Sequence, residues 1–414
     1  MPQPQASGTP GGEPTPRATF GQVFAVGEFR ALWVAQVLSV AGDQLARVAL
    51  TLLVFDRTRS PLLAALTFAA SVLPTFIGGV VLSGLADRLP RREVMIVSDL
   101  IRGLLVAVMV VPGVPVSVLV ALLFLVTLVG APFSSARAAL YPDILQGDLY
   151  VMGTAVTLTT VQFAQVIGFA AAGVAVALVG VRVSLMLDAA TFFFSALITL
   201  TCVARRPASA QGGAVAVFSL SSMGTGIRLV FGASGLRTLM LLGWLAAFVD
   251  VYEGVAVPLA KELGGGPVAV GLILASGALG AAVGTIGFSR FVTPPMRLRM
   301  MIPLAIAACA VLVVFVEARD LVVALIILTL SGAFSSYQVA ASSAFVVAVP
   351  PEQRSQAFGL AQGGMSLGQA TTMILAGAAV RYAPPSGVIA AGGALGALIC
   401  FAVAWDRTRS STQS

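Results

Sequence analysis

The chain has 414 residues, 58% of them hydrophobic and only 10% charged, with a mean hydropathy of +0.99. A soluble domain carries about 25% charged residues, so this sequence lacks the polar surface to face water all round, and its main solvent is lipid. The net charge of +7 does not gather into one patch but sits at the ends of apolar runs, which excludes nucleic acid as the partner and makes the charge a topology signal.

In chain order, residues 1–28 form a cytoplasmic tail and the approach to the membrane. Met1 to Thr19 are rich in Pro, Gly, Ser and Thr, lack the apolar h-region of a signal peptide, and are expected to be disordered. Twelve apolar runs follow, at 29–54, 61–86, 93–112, 116–137, 151–179, 183–203, 236–259, 268–290, 298–317, 320–345, 356–380 and 384–405. Each is about 20 residues long and without the alternation of a barrel strand, so each is read as a spanning helix. The expected architecture is an all-α polytopic membrane protein: a six-helix bundle over 29–203, a linker over 204–235, a second six-helix bundle over 236–405, and a tail over 406–414.

With the N-terminus inside, 17 of the 24 basic residues fall on inner ends and loops, six fall outside, and Arg47 lies within a span. That bias places both termini in the cytoplasm of a cell membrane protein. The three cysteines (Cys202, Cys309, Cys400) are far apart and the chain has no histidine. No metal site is expected, and the cysteines read as small apolar packing. No phosphate-cradling glycine loop with its lysine and no nucleophile–base arrangement is present either, so neither an enzyme nor a cofactor is expected.

The two halves repeat. Phe29-Arg30-Ala31-Leu32 heads the first run and Leu236-Arg237-Thr238-Leu239 the seventh, an offset of 207 that also carries Asp43 onto Asp250. Gly130-Ala131-Pro132-Phe133-Ser134-Ser135 recurs as Gly332-Ala333-Phe334-Ser335-Ser336, and Gln165 corresponds to Gln369. Between the second and third runs lies the densest charge cluster, Ser83-Gly84-Leu85-Ala86-Asp87-Arg88-Leu89-Pro90-Arg91-Arg92.

That decapeptide resembles the loop 2–3 signature of the major facilitator superfamily, Gly-x-Leu-Ala-Asp-Arg-x-Gly-Arg-Arg, with Ser83 and Pro90 in place of glycines. Phe29-Arg30-Ala31-Leu32-Trp33, Gly42-Asp43, Thr58-Arg59-Ser60-Pro61, the stretch from Ala136 to Asp143, and Val349 to Arg354 resemble the bacterial enterobactin- and macrolide-type exporter branch. The resemblance implies two halves rocking about a midplane site. It also implies a cytoplasmic gate in which Asp87 meets the N-terminal end of span eleven near Ser355-Gln356. Arg88, Arg91 and Arg92 would fix topology and engage nearby acids, with Arg137 and Asp143 as neighbours. Asp99 and Arg102 read as a local pair supporting that loop. The antiporter signature of span five is altered, with Phe169 for its proline and Ala172 for a glycine.

Charged groups inside a span are costly and mark a pathway by default. Gln36, Ser39, Asp43, Arg47 and Thr51 recur at helical spacing on one face of span one, read either as a cavity wall or as carrying an Asp43–Arg47 structural pair. Asp250 and Glu253 have no basic neighbour within a turn and stand as proton-coupling candidates with Asp43 and Arg47. Trp244 and Tyr252 accompany them, and Gln162, Gln165, Gln362 and Gln369 add polar faces to spans five and eleven. Asp188, in the outer part of span six, reads as a structural acid paired with Arg182, or else as lining the outer mouth. So few charges among several amides suit an amphipathic solute.

The function expected is a monomeric secondary transporter that exports a small molecule (an antibiotic, siderophore or other metabolite) in exchange for protons. An importer or uniporter of the same architecture, or a non-transporting membrane sensor or assembly factor, stands as the alternative.

Overall fold

In lipid every backbone N–H and C=O must find its partner within the chain, which drives long apolar segments into helices. The structure, a computed structural model, describes residues 19–81, 89–206, 234–350 and 353–411. Those residues contain no strand. A short α1 (Phe20–Ala25) precedes α2 (Gly27–Thr58), an unbroken helix of 32 residues. The second apolar run is divided into α3 (Pro61–Ala69) and α4 (Leu73–Val81). Helices α5 (Arg91–Met109) and α6 (Val116–Ile144) lead to α7 (Asp148–Cys202), whose 55 residues turn at Gly180, φ 77°.

The seventh run is the most broken. It comprises α8 (Ser234–Trp244), α9 (Ala246–Val249), α10 (Val251–Gly254) and α11 (Ala256–Glu262). Next come α12 (Pro267–Phe291) and α13 (Pro294–Val313), the latter extended by a 3-10 turn at Val314–Glu317. The tenth run divides into α14 (Leu321–Phe334) and α15 (Tyr337–Ala348), and α16 (Arg354–Ala379) and α17 (Pro385–Ser411) complete the chain.

Among the described residues, eight helical segments are long and apolar enough to cross a membrane. The difference from twelve expected spans has local causes. Run two is interrupted at residues 70–72, and runs five and six meet at the Gly180 turn of α7 with no loop residues between them. Helix α5 carries Arg91, Arg92, Glu93, Asp99 and Arg102, and α16 is rich in Gly, Gln, Ser and Thr. The last two are the polar helices of the bundle.

Element starts follow from capping chemistry. The Ser60 hydroxyl accepts the Leu63 N–H at 3.3 Å ahead of Pro61, and the Asp320 carboxylate accepts the Val323 N–H at 2.9 Å. The fully buried Tyr337 is likewise satisfied, donating its hydroxyl to the Leu242 carbonyl at 3.0 Å.

Within the first half of the chain α2 packs along α7, and α5 along α6 and α7; within the second, α12 packs on α14 and α13 on α17. Two seams join the halves, α7 against α12 and α16 against α3 and α4. Small residues allow the first seam to close. A methyl group on Gly271 would lie 2.6 Å from the Phe169 carbonyl and 2.9 Å from the Gly173 Cα, so the two backbones cross in direct contact.

Candidate functional site

Four of the five polar residues read along span one line a cavity of about 440 Å³ in the first half, while the fifth, Thr51, is buried and donates its hydroxyl to the Arg47 carbonyl at 2.7 Å. Gln36, Ser39, Asp43 and Arg47 of α2 form one wall, facing Arg102 of α5, Arg137 of α6 and Gln165 of α7. The pairing inside it differs from the i,i+4 pair that spacing alone suggests. Asp43 is bound by Arg102 at 2.5 Å, and Arg47 instead donates to the Ser71 carbonyl at 3.2 Å, where the chain breaks between α3 and α4. An i,i+4 spacing puts two side chains on one face, but a guanidinium from a neighbouring helix can approach a carboxylate end-on.

Arg102 is the hub. Its second terminal nitrogen donates to the Ser39 hydroxyl at 2.9 Å and lies 3.5 Å from Asp99, while its guanidinium rests 4.1 Å from the Phe192 ring centroid. Asp99, fully buried, also accepts the Ser195 hydroxyl at 2.5 Å. Asp99 and Arg102, read from sequence as support for the loop before α5, thus belong to the cavity wall and its backing. Arg137 lines the same cavity, above the Phe133 ring at 5.7 Å. The signal that could have placed this pair was available. Arg102 stands well inside an apolar run, where a purely topological arginine has no reason to be.

A second cavity, of about 500 Å³, lies between the halves. It shares Gln36 and Arg137 with the first and adds Gln162 of α7 and Thr285 and Ile286 of α12. Tyr141 donates to Gln36 at 3.3 Å and Thr157 donates to the Tyr141 hydroxyl at 3.2 Å, so this wall is hydrogen-bonded as a chain.

In the second half, Asp250 sits at the break between α9 and α10, with φ −85° and ψ 7°. Gln369 of α16 donates to its carboxylate at 2.7 Å. Glu253 lies one turn further on. Tyr252 is buried against α12, where Gly277 leaves room for its ring. Trp244 donates to the Ala361 carbonyl at 3.0 Å and, with Gln338, Phe345, Phe358 and Gln362, lines a smaller cavity of about 160 Å³.

The two ends of the bundle differ. At the end where α2 begins, Arg91 binds Asp143 at 2.6 Å, Arg205 binds Glu93 at 2.6 Å and Arg206 binds Glu28 at 2.7 Å. Arg92 donates to the final carbonyls of α7, Thr199 and Leu200. These contacts tie the helix ends of the first half to one another and to the start of the linker at Arg205 and Arg206. At the other end Lys261 of α11 bridges to Asp56 of α2 at 2.9 Å and lies 4.5 Å from the Phe55 ring centroid, joining the two halves. Asp87 and Arg88 lie outside the described residues.

Residues 20–404 match the family described as transmembrane secretion effector. No curated protein matches the sequence significantly. Among solved structures the fold is similar to the nucleoside transporter NupG, with 15% identity, TM-score 0.68, and 91% of this chain and 98% of that one covered. It is also similar to a POT family transporter in complex with 5-aminolevulinic acid, with 10% identity, TM-score 0.72 and coverage of 94% and 96%. A bacterial homologue of the human lysosomal transporter Spinster, in an inward-facing and occupied conformation, has 15% identity, TM-score 0.61 and coverage of 91% of each chain. At these identities the structures speak for the fold alone. An all-helical apolar bundle with charged cavity walls, matched over nearly its whole length, belongs to the transmembrane secretion effector family of the major facilitator superfamily and is a transmembrane transporter of that type.

Proposed function

We propose that the chain exports a small amphipathic molecule in exchange for protons by alternating access between two six-helix halves, 29–203 and 236–405. The observation that carries this reading is the seating of Asp43, Arg102 and Gln165 around one cavity within a largely apolar body. Charge is retained there at a cost of about 2.5–3.5 kcal/mol per residue on insertion scales, and proton coupling is a use that requires it. Asp250 and Glu253 supply acids on the opposing half, and amides and aromatics supply the solute-facing remainder. The family's description as a secretion effector supports export.

With both termini in the cytoplasm, as the arginine distribution favours, the Asp56–Lys261 end faces outward and is closed. The cavities then belong to an inward-facing carrier. The test is transport in proteoliposomes of known orientation under an imposed proton gradient, with an amphipathic cationic dye as the probe. Dye movement against its gradient that collapses with a proton ionophore supports the reading. Dye flux indifferent to the gradient in both orientations would sink the coupling, and flux only in the inward direction would reverse the assignment to import.

A further inference from the structure

Asp188 is the one interior acid of the first half that the reading above leaves unemployed. It lies in the second limb of α7, is fully buried, and has no hydrogen-bond donor on either carboxyl oxygen among the described residues. It does not meet the exposed Arg182. Its approach to α2 depends on Gly42, where a methyl group would collide with the carboxyl of Asp188 and the hydroxyl of Thr191.

Opposite Asp188, Arg102 of α5 commits its terminal nitrogens to Asp43 and Ser39, while its buried Nε–H has no acceptor among the described residues. The charge of Arg102 acts on Asp188 as well as on Asp43. An acceptor without a donor and a donor without an acceptor therefore stand on adjacent helices. Phe192, one turn beyond Asp188, lies beneath the guanidinium and offers it a face to slide across. A sealed carboxylate with no donor is far costlier than the neutral acid. Asp43, by contrast, is bound by Arg102 and opens on the cavity.

We propose that Arg102 alternates between Asp43 and Asp188, and that these two carboxyls share one proton. When Arg102 moves to Asp188, the proton leaves Asp188 and is held by Asp43. Each state contains one carboxylate, one carboxylic acid and one guanidinium, so neither charge nor protons are gained or lost. The other charged groups facing the site are Asp99 of α5, held by Ser195 of α7 and by Arg102, and Arg137 of α6, whose charge reaches Arg102. Asp99 shares a helix with Arg102 and keeps its contact in either state. The exchange gives the proton a sealed position, out of reach of cavity water, while the carrier changes conformation.

This proposal deepens the proton-coupled reading and rests on it, but its test needs no transport. Infrared difference spectra of the purified full chain, stepped from acid to alkaline buffer, report the carbonyl stretch of water-shielded carboxylic acids. The wild type should show a band that is missing from Asp188→Asn. The same band should be lost from Asp43→Asn, because Arg102 then pairs with Asp188 and ionises it. A wild-type band unchanged in Asp188→Asn, or one that survives in Asp43→Asn, overturns the shared proton. Bands behaving as stated in a protein whose flux ignores a proton gradient would uphold the shared proton and sink the coupling.

Discussion

Gln369 donates its amide to Asp250 at 2.7 Å, and the residues that the internal repeat sets beside these two, Gln165 and Asp43, face one another across a cavity in the other half. The same acid and amide thus occur twice, bonded in the second half and parted in the first. Asp250→Asn keeps an acceptor for Gln369 and should change stability by no more than about 1 kcal/mol. Gradient-driven flux in proteoliposomes should nevertheless be lost, while exchange of the probe without a gradient persists. Equal losses in both assays would assign Asp250 to solute binding.

Arg102 is the most stability-critical charge in the first half, since it holds Asp43 and Asp99 together. Arg102→Ala leaves two acids without their cation and should cost about 3–5 kcal/mol, read as a lowered thermal midpoint in detergent. Arg102→Lys keeps the charge but has a single nitrogen to place where two now reach Asp43 and Ser39. It should recover only part of the loss. Full recovery would mean that charge alone matters there.

The crossing of Gly271 over Gly173 closes one seam between the halves. Gly271→Ala forces a methyl group against the Phe169 carbonyl, and overpacking of this kind costs about 1–3 kcal/mol. Thermal unfolding should register that cost, and thiol labelling at nearby positions of α7 and α12 should rise. Unaltered labelling with lowered stability would place the strain within one half.

Asp56 and Lys261 close the other end with partly exposed side chains. Removing either should shift the balance towards opening at that end by up to about 1 kcal/mol, roughly fivefold in the equilibrium. Spin-label distances between α2 and α11 measure it directly, and raised salt should reproduce it in the wild type. A distance distribution untouched by Lys261→Ala would reduce the bridge to a surface contact.

The membrane class and the cavity-facing residues of α2 from Gln36 to Arg47 were legible from apolar run length and helical spacing; the breaks within the second, seventh and tenth runs were not. Repetition was legible enough to pair Asp43 with Asp250 and Gln165 with Gln369 before any geometry was known. The partner of Asp43 was not, because periodicity reports which face a residue occupies and nothing about the helix that faces it. Gly243, Gly254 and Pro258 flank the breaks at Leu245 and Val255, but no proline or glycine adjoins the break at Asp250. The break at Asp250 lies where α16 and α3 pack on the span, a tertiary setting that local propensity does not contain. Asp188 was misplaced for a similar reason: its distance from the run's end was plain, but its depth was not.

Helix α7 carries Gln162 and Gln165 before its turn at Gly180 and Asp188 and Ser195 after it, with no loop between the limbs. Gly180 alone, at φ 77° in the left-handed region that favours glycine, sets the angle between the two limbs. A side chain at that position would be strained, so one residue governs how the limb of the amides stands to the limb that seals the acid, and a substitution there would be felt at both.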